Sequence, residues 1–422
     1  MGHLTVRRML QLFFFFGIFV ISGALQRPIG GQVIEGSMSD AVTVESNSLM
    51  TFIGLFFYAW AGLLFVKLWP RTKPFFESYP LWILVALAIL SALWSQDPIL
   101  SATRGLGLLG CTLFAFTIIG YFKLDEILRL TGIFFVVLIV GTFLVLLLAP
   151  GYAVHGGDEF YSIHAGLLRG TYNHKNSLGR VLALGLIVLI FNPLKGRYWK
   201  WAGYFSVIVG LYLLMLTGSA KTFVSVPAAI VVALVFVRLR TLSVRLGFIG
   251  VVALIYGVLA ISGYFSVIES MLLEGLDRDP NMSARTFIWA VAVDEGFKTP
   301  FVGSGFGGAG WKGDGVGSAM LAVLGFDPGH SHNGFIQTFV ELGFLGLGVV
   351  FYFIARTIFG LMRISSGRDG ACLKFFVGWW VLFIFNNYAG SFLVQPNDIY
   401  WFMLAITAYY IALMRNGAIR LK

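Results

Sequence analysis

The sequence predicts an all-α, polytopic integral membrane protein with about 12 transmembrane helices, and three observations lead there. Of 422 residues, 58% are hydrophobic and only 12% are charged, whereas water-soluble domains carry about 25% charged residues. The apolar residues gather into runs of roughly the length that crosses a ~30 Å hydrocarbon layer. Lys and Arg collect on alternate connecting segments, as they do on the cytoplasmic loops of membrane proteins. The formal net charge of +10 is therefore a matter of loop topology and calls for no nucleic-acid partner. Cys111 and Cys372 stand alone inside apolar runs, which suits small buried hydrophobes and excludes a disulfide framework.

Twelve apolar runs can be drawn, over 10–25, 49–69, 80–95, 104–122, 128–149, 178–193, 201–217, 222–238, 246–265, 334–356, 374–392 and 398–415. The first, Phe13 to Phe16 included, follows Arg7-Arg8 and looks like a secretory leader. Gly23-Ala24-Leu25-Gln26-Arg27 is a poor cleavage site, so the run reads as a membrane anchor. With both termini cytoplasmic, the inner segments hold 20 of the 30 basic residues, Arg8, Lys67, Lys195, Arg238 and Arg363 among them. Acidic residues such as Glu35, Asp158, Asp277, Asp327 and Asp398 fall on the other side. Residues 1–422 form one transmembrane domain, with neither an internal repeat nor two inverted halves.

Inner loops are short, whereas outer segments run over 26–48, 150–177 and 266–333, the last between spans nine and ten and far longer than a connector requires. The working face is thus expected outside. In the long loop Ser283 is positioned to cap a helix through Arg285, Phe287, Trp289 and Val293, ended by Gly296 and Pro300. Its apolar residues predict that it lies on the membrane or the bundle. Gly303-Ser304-Gly305-Phe306-Gly307-Gly308 is too glycine-rich for regular structure. Without a following Gly-Lys-Ser it is no nucleotide loop, and it is expected to form a flexible lid.

Five of the six histidines, His155, His164, His174, His330 and His332, fall in two of these outer segments. The 150–177 segment ends in Arg169-Gly170-Thr171-Tyr172-Asn173-His174-Lys175-Asn176, where a membrane helix begins. A helix N-terminus with Arg and Lys beside it favours an anion. Interfacial snorkelling accounts for Lys175 but not for the interleaved Asn173, His174 and Asn176. Lys221 sits in a tight outer turn between two apolar runs, where a cation must be paired or face water. The second histidine segment, His330-Ser331-His332-Asn333, leads into the tenth run, and helical spacing puts Asn333, Gln337 and Glu341 on one face. Glu341 is the clear carboxylate within a run, which points that face at a polar cavity. Histidine, with an ordinary pKa near 6.5, is able to take a proton from a hydroxyl at neutral pH. His-x-His alone is weak evidence for a metal, and Asp277-Arg278-Asp279 is a pattern that acidic loops match by chance. Neither metal nor cofactor is implied.

Three motifs in order carry a family resemblance: Arg169-Gly170-x-x-x-His174-Lys175-Asn176-x-x-Gly179, then Ser283-x-Arg285-x-x-x-Trp289 before Gly303-x-Gly305-x-Gly307, then His332-Asn333-Gly334-x-x-Gln337-x-x-x-Glu341-x-Gly343. Together, over about 150 to 350, they resemble the O-antigen ligase and polymerase superfamily of bacterial envelopes, and most of all its exopolysaccharide polymerase branch. The resemblance implies an enzyme of the bacterial inner membrane that moves a glycan from undecaprenyl pyrophosphate to an acceptor hydroxyl at the periplasmic face, with inversion and without a metal. It implies that His332 is the base that deprotonates the acceptor hydroxyl or holds it in line for attack, with Asn333 orienting sugars or the histidine and His330 beside it. It implies that Arg169, Arg285, Lys175 and Asn176 bind pyrophosphate or sugar, with His174 and Glu341 beside them. The family often has arginine where this chain has Lys221, and Lys cannot make the planar bidentate contact of Arg.

The implied partners are the bilayer, a lipid-linked oligosaccharide donor, a growing glycan or lipid A core as acceptor, and a chain-length regulator. Polymerase and ligase share the donor and differ in the acceptor pocket. A transporter for the same lipid-linked sugar would place its charges near the bilayer midplane, often in repeated halves. Here they crowd one face and one loop, which argues for transfer.

Overall fold

The computed structural model describes residues 2–25, 27–28, 48–68, 77–156, 164–261, 282–311, 315–325, 327–364, 370–388 and 390–415. Asp277 and Asp279, the side-chain cap expected of Ser283, and much of the 26–48 loop lie outside the described residues. In chain order the helices are α1 (Gly2–Ser22), α2 (Ser48–Lys67), α3 (Tyr79–Leu90), α4 (Pro98–Tyr121), α5 (Leu124–Leu148), α6 (Lys175–Phe191), α7 (Arg197–Leu216) and α8 (Ala220–Arg238). They continue with α9 (Leu242–Ile261), α10 (Met282–Gly296), α11 (Val316–Leu324), α12 (Gly334–Arg363), α13 (Gly370–Tyr388) and α14 (Ile399–Arg415). Each of the twelve apolar runs falls on a helix, and α10 and α11 belong to the long segment between α9 and α12. Among the described residues, seven helices are long and apolar enough to cross a membrane: α4, α5, α7, α8, α9, α12 and α13.

Local chemistry fixes where these helices start. Asp97 caps α4 by accepting from the Leu100 N–H at 3.0 Å, with Pro98 at the first helical position, where its fixed φ suits a helix and its missing N–H costs nothing. At the head of α5, Glu126 reaches back to accept from the Lys123 N–H at 3.2 Å and pairs with Arg7 of α1. Lipid chains are as apolar as leucine, so helices inside a bilayer associate by close packing. Glycine provides the closeness: Gly185 of α6 faces the Phe135 ring of α5, and Gly378 of α13 faces Phe191 of α6. The innermost helices are α6 and α14. Residues Leu178 to Val188 of α6 are buried throughout, as are Tyr400 to Ile406 of α14. The Trp401 indole N–H donates to Thr112 Oγ1 of α4 at 2.8 Å, and Phe402 stacks on Phe114 at 5.2 Å.

Two polar devices interrupt this apolar packing. Arg180 of α6 and Asp398, just before α14, form a bidentate pair at 2.9 and 2.8 Å, each side chain 8% exposed. A cation buried among membrane helices needs such a partner. Asp398 also accepts from the Tyr400 N–H at 2.7 Å, capping α14.

The second device is a break in α12. Gly343 has φ 62° and ψ −164°, so the helix is two limbs joined at a kink. Segment 300–305 supplies the backbone partners that the break strands. Pro300 and Phe301 carbonyls accept from Phe344 and Leu345 N–H at 2.7 and 3.0 Å, while Ser304 and Gly305 N–H donate to Val340 and Glu341 carbonyls at 2.9 and 3.1 Å. On its other side the segment meets α4 and the turn before it, where Ser101 Oγ donates to the Phe306 carbonyl at 2.9 Å and Phe306 N–H donates to Ser91 Oγ at 3.0 Å. Phe306 is wholly buried. The glycine-rich stretch is therefore no flexible lid. It needs glycine at 303, 305 and 307, all at positive φ, because it threads between two helices and a Cβ there would strike the Glu341 backbone, Ser95 or Arg104.

A Cβ at Gly343 would run into the Phe301 carbonyl, whereas one at Gly348, a turn later in α12, meets open space. Gly343→Ala is expected to lower the thermal midpoint of the detergent-purified protein by the equivalent of roughly 1–3 kcal/mol, the usual cost of a strained backbone residue. Gly348→Ala, where alanine is the better helix former, is expected to leave the midpoint unchanged or raise it. Equal midpoints for the two variants would show that the kink is not stabilised as described.

Candidate functional site

Both histidine segments stand at helix N-termini, and the fold brings those termini to one end of the bundle. His174 is the N-cap of α6, its Nδ1 accepting from the Asn176 N–H at 3.1 Å. Asn333 is the N-cap of α12, its Oδ1 accepting from Phe335 and Ile336 N–H at 3.0 and 3.2 Å. The start of α8 joins them, since Lys175 Nζ donates to the Gly218 carbonyl at 3.4 Å. The start of α14 joins through the Arg180–Asp398 pair. Four positive helix ends thus face one region, a disposition that favours an anion.

His332 lies in the left-handed region at φ 52°; it and Asn397 are the two non-glycine residues with positive φ among the described residues. Such a conformation persists only where the surroundings over-determine it. Trp289 of α10 donates its indole N–H to the Ser331 carbonyl at 2.9 Å. Ser331, fully buried, donates its hydroxyl to the Asn333 carbonyl at 2.7 Å. Its own N–H donates to Gln337 Oε1 at 2.9 Å. Gln337 Nε2 donates to Glu341 Oε1 at 2.7 Å, and Gly308 N–H donates to the same oxygen at 2.7 Å. A chain of hydrogen bonds therefore runs from the glycine-rich segment through Glu341 and Gln337 to the backbone of the histidine turn. Two sequence expectations are revised by it. Glu341, 6% exposed, is committed to the segment and to Gln337 and not to a polar cavity, and Asn333 spends its amide oxygen on the helix start.

The imidazoles of His330 and His332 are 4.0 Å apart at their centroids. His330 Nδ1 accepts from the His332 N–H at 3.1 Å, so a neutral His330 carries its proton on Nε2. Burial pushes His330 down to about 4, assisted by Lys221 and Arg285. Burial also holds His332 well below the usual histidine range, followed by His330, Arg285, Lys221 and His174 as electrostatic neighbours. The second-segment His332 thus sits in the field of His174 from the first, of Lys221 at the head of α8 and of Arg285 one turn before Trp289. Burial lowers His174 likewise, with His164, His155, Lys175 and Lys221 adding to it.

His155, His164 and His174 form a triangle with ring centroids 5.1 to 5.8 Å apart. His155 Nε2 accepts from the Lys175 N–H at 3.2 Å, and Arg169 Nη1 lies 3.5 Å from its Nδ1. Rings whose nitrogens serve backbone N–H groups beside Arg169 and Lys175 suit an anionic neighbour better than a metal ion. The sequence singles out Arg169, His174, Lys175, Asn176, Lys221, Arg285, His330 and His332, and the fold collects them at this end of the bundle.

Several contributors carried no sequence signal. Arg27, buried, donates to the Tyr152 and Gly170 carbonyls and lies over the Tyr152 ring at 3.9 Å, bracing the turn that presents Arg169. The loop between α13 and α14 reaches the site from elsewhere in the chain. Phe392 lies under Arg180 at 3.9 Å and under Lys221 at 5.2 Å. Its N–H donates to Asn387 Oδ1 at 3.0 Å, and Ser391 Oγ stands 3.4 Å from Ser331 Oγ. Phe392 and Asp398 belong to a connector without motif spacing, and only their tertiary contacts reveal them.

Residues 205–351 match the model of a family described as O-antigen ligase, a range holding Lys221, Arg285, both histidines of the second segment and the break in α12. The chain is also 24% identical over 385 residues to the exopolysaccharide production protein ExoQ of Rhizobium meliloti (strain 1021), covering 87% of this chain and 84% of that one.

The depressed histidines make stability depend on pH. In the unfolded chain a histidine titrates near 6.5, whereas folded His330 resists protonation down to about 4. Between those values the unfolded state binds more protons, so this contribution is fully present above pH 6.5 and is lost as pH falls toward 4. The thermal midpoint is expected to fall on acidification through this window, and the fall to be shallower for His330→Asn. Identical slopes for the two proteins would refute the assignment.

Proposed function

We propose that this chain, which belongs to the O-antigen ligase and polymerase superfamily, is a membrane glycosyltransferase that polymerises exopolysaccharide repeat units. It takes its glycan from an undecaprenyl-class lipid pyrophosphate at the periplasmic face. The observation that carries this reading is the meeting of His332 with the cations Arg285 and Lys221, beside a second depressed imidazole, His174: an unprotonated base in a cationic field. A glycosyl transfer from a pyrophosphate needs both: a group to take a proton from the incoming hydroxyl, and positive charge where the departing phosphate develops its own.

In the proposed step, His332 takes the proton of the acceptor hydroxyl as that oxygen attacks the anomeric carbon from the side opposite the pyrophosphate. The bond from the anomeric carbon to the phosphate oxygen breaks, and its electron pair stays with that oxygen. Arg169, Arg285, Lys175 and Lys221, with the N-termini of α6, α8 and α12, receive the growing charge. Preorganised cations and N–H groups act most strongly there because they need not reorient and face little competing water. Lys221 serves as a point charge steadied by Phe392. His330, with Nε2–H, is a donor beside the base, and Asn176 and His174 line the pyrophosphate side. Asn333, Gln337 and Glu341 position the histidine turn.

The positive-inside distribution of Lys and Arg supports the periplasmic assignment. The name of the ExoQ relative fits an exopolysaccharide product, whereas the family description names a ligase; the second reading is therefore a ligase that delivers a finished glycan to a lipid A core. Supplying a lipid-pyrophosphate-linked repeat unit to the purified protein in the presence of a chelator separates them. The intact protein is expected to lengthen the glycan. His332→Ala is expected to lose roughly 10²–10⁴-fold in rate, the usual contribution of a general base, while keeping its thermal midpoint. Transfer that waits for a lipid A core acceptor identifies a ligase. Donor left intact with every acceptor rejects transfer and favours transport.

A further inference from the structure

A cavity of about 380 Å³ opens between α6, α8 and α13, lined by Ile190, Phe191, Ile230, Leu234, Ala371 and Lys374, with Pro193 at its edge. It lies at the far ends of these helices from the histidines. Lys175 opens α6 at the site and Phe191 closes it at the cavity, 16 residues later, or about 24 Å along the axis. Its floor is Phe191 packed on Gly378, where any side chain would displace the ring.

Two properties say what fills it. Helices α8 and α13 are long and apolar enough to cross a membrane, so a trough in their flank is reached by lipid and not by water-soluble molecules. Its mouth is cationic: Lys374 lines it, and Lys195, Arg197, Arg238 and Arg240 are exposed on the adjoining ends of α6, α7 and α8. Among the described residues no carboxylate lines it. Apolar walls under a cation at an interface match one acyl chain under one phosphodiester. A donor with its pyrophosphate at Lys221 and Arg285 cannot also set a phosphate here, about 24 Å away.

We infer that this cavity is a binding site for an anionic phospholipid of the bilayer, with its phosphate at Lys374 and one acyl chain along Ile190, Phe191, Ile230 and Leu234. The site is independent of the proposed transfer reaction. Proximity of one lysine to an anionic lipid surface favours binding by about fivefold, which sets the scale of selectivity.

Native mass spectrometry of the detergent-solubilised full chain, titrated with phosphatidylglycerol and phosphatidylcholine of identical acyl chains, tests this directly. The intact protein is expected to retain the anionic lipid about fivefold more strongly. Lys374→Gln should reduce it to the level of the zwitterionic lipid. Ala371→Phe, at an exposed residue on the cavity wall, should displace both lipids. Equal retention of the two lipids by the intact protein overturns the proposal. So does selectivity that survives Lys374→Gln but disappears in the Lys195→Gln, Arg197→Gln double variant, which would locate it on the surface charges. A failure of sugar transfer leaves each of these readouts unchanged.

Discussion

Inside an apolar bundle every polar group must find its partner in protein, and that constraint shapes the structure around the histidines. An unpartnered backbone group in hydrocarbon costs several kcal/mol, so α12 can break at Gly343 only because segment 300–305 arrives with the missing donors and acceptors. Arg180 can enter α6 only because Asp398 meets it. The polar contacts gathered at one end of the bundle are thus mutually required. The segment that repairs α12 also holds Glu341, Glu341 holds Gln337, and Gln337 holds the turn from which His332 projects.

The outcome is a site where imidazoles are kept unprotonated by the same features that attract an anion. Burial and the cations Lys175, Lys221 and Arg285 push His174, His330 and His332 down together. In the proposed reaction, a base that stays available and a charge field that welcomes phosphate are one electrostatic arrangement. Helix N-termini reinforce it without adding side chains, because α6, α8, α12 and α14 all begin at this end.

Much of this was legible in the sequence. Apolar runs are long and strongly patterned, and each coincides with a helix because hydrocarbon leaves a spanning chain few alternatives. The helix at Met282–Gly296 was legible from the Gly296 and Pro300 that end it, and the two histidine segments from polar residues in unlikely places. What failed was reading of side-chain commitment. Glu341 and Asn333 lie on the expected face of α12, yet their oxygens serve the Gly308, Phe335 and Ile336 N–H groups, partners that spacing along one helix cannot disclose. The glycine run was misread for a related reason: glycine marks both mobile chain and chain squeezed between helices, and only the neighbours Ser101, Ser91 and Gly343 distinguish the two. Arg27 and Phe392 act through contacts more than a hundred residues away in sequence.

The two limbs of α12 also set a height. From Phe344 to Arg363 the lower limb has 20 residues, roughly 30 Å, which is already the thickness of a hydrocarbon layer. The upper limb, Gly334 to Leu342, is then surplus to crossing and acts as a pedestal. Under the proposed function, it would lift the histidine turn out of the acyl chains into the headgroup zone, where a sugar too polar to enter the bilayer and a phosphate tethered to a lipid too apolar to leave it would come within bonding distance. The kink lets the pedestal lean without shortening the span beneath it.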